Sequence, residues 1–242
     1  MDRMIYLSMS GAQAALSRQD VLANNLANAN SNGFRAELQA FRAVPVRGDG
    51  STVRAFSLET TTGHDLSAGP VETTGRNLDV AMKGRSWMAV QALDGTEAYT
   101  RAGSMDVNAE GVLVMRNGLQ VLGDGGPITV PPNSTIDIGG DGTITAKTGN
   151  QRPVNIGKLK LVIEDGRFTR RDDGLFTPAG GDPLPADPTA RVQAGALEGS
   201  NVSPVETMVG MISAARQFEQ QMKLLQIAQT HGQAASKLLS DS

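Results

Sequence analysis

The chain has 242 residues, 22 Lys and Arg against 25 Asp and Glu, a net charge of −3, and no Cys. Disulfide frameworks, thiolate metal centres and cysteine nucleophiles are therefore excluded. With no Lys/Arg cluster, neither nucleic acid nor an anionic membrane surface is an expected partner.

The opening residues Met1–Gly11 lack the continuous apolar run of a cleaved secretory signal, so none is expected. From there, apolar and small residues recur at steps of four and three: Ile5, Met9, Ala12, Leu16, Gln19, Ala23 and Leu26. That is one face of a helix over 3–29, about 40 Å long. It stops at Asn28-Ala29-Asn30-Ser31-Asn32-Gly33, whose residues tolerate left-handed backbone. Between Met4 and Asn30 the only charged side chains are Arg18 and Asp20. A helix so neutral all round suits burial against several neighbours, and both terminal helices are longer than a sheet of short strands can cover.

Residues 35–75 carry weaker patterns and read as an extended connector, as does 185–199. The stretch between is β in texture. Asp-Gly pairs at 49–50, 94–95, 124–125, 141–142, 165–166 and 173–174 and Asn-Gly at 117–118 mark tight turns. Alternating or β-branched segments flank them, such as Leu78–Met82, Thr135–Ile138 and Lys158–Ile163. Apolar runs such as Trp87–Val90 fall far short of the ~20 residues of a membrane helix, so membrane insertion is not expected. Finally, Ser203-Pro204-Val205-Glu206 combines an N-cap Ser, Pro at the first helical position and a capping-box Glu. The stripe Met208, Met211, Ala215, Phe218, Met222 and Leu225 continues a helix to about Leu239.

The expected fold class is α+β: long N- and C-terminal helices forming a coiled-coil-like helical domain, with a central antiparallel β-rich domain. The helical domain would comprise residues 1–34 and 200–242, and the β-rich domain 76–184. The expected assembly interface on the first helix is Ile5, Met9, Leu16, Asn24, Asn25, Leu26 and Asn28. On the second it is Met208, Met211, Phe218, Met222 and Leu225. The Asn amides are read as setting register between helices rather than binding a ligand.

Chemistry-bearing patterns are missing. His64 and His231 have no carboxylate or second His at ligand spacing. The Asp-Gly turns lack the Asp-x-Asp-x-Asp-Gly order of a calcium loop, and Gly139–Gly142 lacks the Gly-Lys-Ser/Thr of a phosphate loop. Ser86 follows Gly84-Arg85, but Met88 stands where a nucleophile elbow needs Gly. No catalytic residue, metal or cofactor is expected, and the chain is not read as an enzyme.

Three separated motifs are recognisable. Ala23-Asn24-Asn25-Leu26-Ala27-Asn28, followed by Gly33-Phe34-Arg35, resembles the N-terminal signature of bacterial flagellar rod and hook proteins. Leu197-Glu198-Gly199-Ser200-Asn201-Val202 resembles the C-terminal signature of that family. The run from Leu78-Asp79-Val80-Ala81 through Tyr99-Thr100-Arg101-Ala102-Gly103 is similar to its shared β core. Within the family, Phe34–Val46 and Trp87 are most like the proximal rod member. The resemblance implies a structural subunit of the proximal rod, located in the basal body and crossing the periplasm. It further implies export by the flagellar type III apparatus without a cleaved signal, and polymerisation with copies of itself and other rod proteins into a helical drive shaft. Competing readings are the distal rod protein and, from another class, a secreted β-domain module that binds or acts on peptidoglycan.

Overall fold

Ser203 ends its extended run by accepting the Glu206 N–H on its Oγ at 3.4 Å, and the chain turns helical at Pro204. The computed structural model describes residues 2–45, 55–164 and 168–240. Those residues form two helices, α1 (Asp2–Ala27) and α2 (Pro204–Ser240), with 18 strands between them. Along the chain the strands are β1 (Glu37–Pro45), β2 (Ala55–His64), β3 (Val71–Thr73), β4 (Val80–Lys83), β5 (Ser86–Gln91) and β6 (Glu97–Thr100). Then come β7 (Met105–Val107), β8 (Leu113–Met115), β9 (Gln120–Gly123), β10 (Gly126–Pro127), β11 (Ser134–Ile138) and β12 (Thr143–Thr148). The last six are β13 (Val154–Lys158), β14 (Leu161–Ile163), β15 (Phe168–Arg170), β16 (Phe176–Pro178), β17 (Arg191–Ala194) and β18 (Ala196–Glu198).

Two compact units result. The first holds Met1–Ala29, Ala36–Asp65 and Val202–Ser242; the second holds Asn30–Arg35 and Leu66–Asn201. In the first, α1 and α2 run antiparallel. Gly11 lies against the Gln221 side chain, and eleven residues further along α1, Leu22 lies against Gly210. Apart from Asn25, the residues buried on these helices are small: Ser8, Ala12 and Ala15 on α1, and Thr207, Ala214 and Ala228 on α2. Beside the helices, β1 and β2 form a long antiparallel hairpin, from Glu37 opposite His64 to Pro45 opposite Ala55.

This corrects the expected fold class. Two helices stand against 18 strands, and they do not form a coiled-coil-like domain. A coiled coil buries large apolar knobs at its seam, whereas here Met9, Leu16, Met208 and Met222 are exposed and the seam is Ala, Gly, Ser and Thr. Nor is the unit helical alone, because it includes the β1–β2 hairpin. The stretches expected as extended connectors, 35–75 and 185–199, carry strands of their own: β1, β2 and β3 in one, β17 and β18 in the other.

The second unit centres on a nine-stranded sheet of order β15-β16-β6-β5-β9-β8-β7, with β10 on β9 and β14 on β5. A three-stranded sheet, β11-β12-β13, and two ribbons, β17-β4 and β18-β3, complete it. All its pairings are antiparallel. Ser86–Val90 in β5 is buried without a break, because apolar clusters cover both faces. Met88 and Val90 join the larger core with Val80, Met105, Leu113 and Ile144. Trp87 and Ala89 point the other way, into Tyr99, Val162, Phe168 and Phe176. Trp87 meets Phe168 edge-on at 5.3 Å between ring centres, a favourable aromatic geometry. Close backbone approach fixes Gly103: a Cβ there would fall 1.6 Å from the Val80 carbonyl oxygen.

Candidate functional site

The three family-like motifs meet inside the second unit. Glu198, at the end of β18, sits on the same face as Ala196 by the two-residue period of a strand, and both are buried. Its Oε1 accepts from Arg35 Nη2 at 2.6 Å and from the Gly69 N–H at 3.0 Å. Its Oε2 accepts from Arg101 Nε at 2.8 Å and forms an ion pair with Arg101 Nη2, 2.7 Å away. Arg35 and Glu198 are each 1% exposed and Arg101 3%. Burying charges this deeply is costly unless each is paired and hydrogen-bonded.

Arg101 meets that condition in full. Besides Glu198, its Nη1 donates to the carbonyls of Gly84 and Ser86, and its Nη2 to that of Met82. One guanidinium thus pins the turn between β4 and β5 as well as β18. Burial pulls the Arg101 pKa down, the charge of Arg35 adds to this, and Glu198 opposes both. Its guanidinium also lies 5.7 Å from the Trp87 ring centre, and Trp87 Nε1 donates to Glu164 Oε2 at 3.0 Å. Two buried Arg and two buried Glu therefore balance.

Backbone bonds draw the motif segments together at the same place. The Gly33 N–H donates to the Glu198 carbonyl at 2.7 Å, Gly199 N–H to Pro70, and Asn201 N–H to Phe34. Asn201 Nδ2 donates to the Ser67 carbonyl at 3.0 Å. Gly33 has φ +69°, and a Cβ there would come within 2.3 Å of the Arg101–Ala102 backbone, so both conformation and space demand glycine. Phe34 is buried under the Arg170 guanidinium at 4.3 Å. Leu197 is half-buried opposite Glu72, Ser200 is buried, and Val202 is buried in the first unit. Both carboxylate oxygens of Glu198 are held by donors, so the arrangement is built to hold segments in place.

The expected interface residues fall elsewhere, in the first unit, and are not gathered into one seam. Met9, Leu16, Met208 and Met222 are exposed, while Ile5, Leu26, Met211, Phe218 and Leu225 are half-buried. The three Asn differ from one another. Asn25 is buried and pairs with the Glu37 backbone like a strand residue: its Oδ1 accepts the N–H at 2.8 Å and its Nδ2 donates to the carbonyl at 3.0 Å. Asn24 Nδ2 donates to the Glu37 carboxylate at 3.0 Å. Asn28 Nδ2 reaches back to the carbonyl and side-chain oxygen of Asn24, closing the end of α1.

In the sequence Arg35 and Arg101 stand only as letters of motifs, with nothing local to mark them as charge partners of Glu198. The alternation Ala196, Glu198 in β18 was the one local signal, since it puts a carboxylate on the face of a buried alanine.

Comparison with known proteins agrees with this convergence. Residues 5–35 match the family model of flagella basal body rod proteins, 81–146 the flagellar hook protein FlgE/F/G D1 domain, and 193–238 the flagellar basal body rod FlgEFG C-terminal model. The chain is 45% identical to the flagellar basal-body rod protein FlgF of Salmonella typhimurium and 44% identical to that of Escherichia coli, each over 100% of both chains. To the basal-body rod protein FlgG of Agrobacterium fabrum it is 31% identical, over 98% of this chain and 99% of the relative. With full-length identity to FlgF and all three motifs matched in order, the chain belongs to the flagellar basal-body rod protein family, in its FlgF branch.

Proposed function

We propose that this structural rod component polymerises through the outward faces of α1 and α2, against copies of itself and other rod proteins, into the shaft that transmits torque for swimming. The observation that supports it is the inverted helix pair: small residues lie inside, while Met9, Leu16, Met208 and Ile212 stand in solvent. Exposed apolar side chains gathered on one element mark surfaces made for burial. In this reading the terminal segments 1–34 and 200–242 form the axial core and 76–184 the outer domain. The higher identity to FlgF than to FlgG supports a proximal rather than a distal place. The family resemblance further implies that the chain crosses the periplasm and leaves the cell through the flagellar type III apparatus without a cleaved signal. The relatives are structural rod proteins, and no reaction is assigned to this chain.

The test is Met208→Ser combined with Ile212→Ser. Both side chains are exposed, so the purified monomer should melt within about 0.5 kcal/mol of wild type. A strain carrying the pair should lose rods and swimming. Normal swimming, or a monomer that unfolds readily, would remove the outward face as the interface.

A further inference from the structure

The chain passes between its two units four times, at 29–30, 35–36, 65–66 and 201–202. The parts of the second unit that flank those crossings are 30–35, 66–70 and 198–201. We infer that Glu198 is the keystone of a clamp that holds all three flanking segments at one point, separately from the sheet that forms the core of the second unit.

The contacts divide as a clamp requires. From the first segment, Gly33 bonds the Glu198 carbonyl and Arg35 its carboxylate. From the second, Gly69 bonds the same carboxylate oxygen as Arg35. The third contains Glu198 itself and adds two side ties, Gly199 to Pro70 and Asn201 to Ser67. Arg101 ties the cluster to the β4–β5 turn, and Arg170 of β15 lies over Phe34 of the first segment. Gly69 has no room for a larger residue, since a Cβ there would lie 2.2 Å from the Gly199 carbonyl oxygen. The second and third segments are therefore in van der Waals contact as well as hydrogen-bonded.

The two cations are not equivalent. Arg101 donates from all three of its nitrogens, whereas Arg35 spends only Nη2 on Glu198, and its Nε and Nη1 are buried without a partner among the described residues. Arg35 is thus a tie for one segment, removable without stranding other groups, while Glu198 serves all three. Glu198→Gln keeps the shape but sets an amide N–H against a cluster of donors.

Hydrogen exchange of the full-length chain, read by peptide, separates the roles. In Glu198→Gln, amides in 30–35 and 66–70 should exchange at least about tenfold faster, because their buried acceptor is lost. Those in β5 and β8 should keep wild-type rates. In Arg35→Met, which also removes the two unpaired donors, 30–35 alone should accelerate. Unchanged rates in both segments of Glu198→Gln would overturn the clamp. So would equal acceleration of β5 and β8, or failure of that variant to fold, since either would make Glu198 part of the core. Acceleration of 66–70 in Arg35→Met would overturn it too, by removing the keystone distinction.

Discussion

Arginine at position 101 is required for its shape more than its charge. Its guanidinium directs N–H groups from all three nitrogens at one carboxylate and three carbonyls that belong to different segments. A lysine offers three donors on a single nitrogen, so at least one acceptor would be left buried and unmatched. Each buried polar group without its partner costs ~1–3 kcal/mol. Arg101→Lys should therefore lower the stability of the second unit by ~1–3 kcal/mol in urea unfolding followed at Trp87. A loss below about 1 kcal/mol would mean that water replaces the missing donors. Tyr99 shows the same economy of placement: its hydroxyl donates to Glu97 at 2.6 Å and accepts the Leu184 N–H at 2.7 Å. Burial first, and then that carboxylate, push its pKa up.

Among the elements, the end of α1 and the start of β1 are joined by one side chain. Asn25 imitates a neighbouring strand by offering an acceptor and a donor to the backbone of Glu37. Leucine is close in size but offers neither. Asn25→Leu should destabilise the first unit by ~2–4 kcal/mol, two unpaired backbone groups' worth, and fraying should appear first at residues 37–40. Selective loss of exchange protection there, with β5 unaffected, would verify it; uniform protection would show that the helix end and hairpin are independent. The Asn-rich run was visible in the sequence, but its partner was not, because Glu37 lies twelve residues on across an irregular turn. The start of α2 was legible, since Ser203-Pro204 acts through local geometry alone. So were turns such as Asp94-Gly95 between β5 and β6 and Asp141-Gly142 between β11 and β12, while the pairs at 49–50 and 165–166 lie outside the described residues. The helix seam was not. Spacing identifies Ala12 as facing inward, yet Met9 and Leu16, in the same stripe, face out, because the buried line runs instead through Ser8, Ala12 and Ala15. Periodicity reveals that a face exists and is silent on which neighbour covers it. Glu198, likewise, was readable only as a motif letter, since its two arginine partners are 163 and 97 residues away.

For the molecule as a whole, the two units hold together by different means. The second has large apolar side chains on both faces of its sheet. The buried part of the α1–α2 seam is mostly alanine, serine and threonine, which withdraw far less apolar surface from water than leucine does. Helices gain most of their stability from such packing. Denaturant should therefore remove helical signal before it alters the emission of Trp87, the only tryptophan, which reports the second unit. Two separated midpoints are the expected result; a single coincident transition would show that the units unfold together.

The alanine-lined seam also bears on how a chain could pass through a narrow conduit. A pair of helices held by small residues separates at little energetic cost, and each can then travel as a single file of backbone. The same smallness leaves no bulky knobs to mis-seat when the pair closes again. What makes the helix pair weak in isolation therefore makes it easy to undo and to remake, and the larger side chains, kept outside, are free to meet whatever awaits them at the far end.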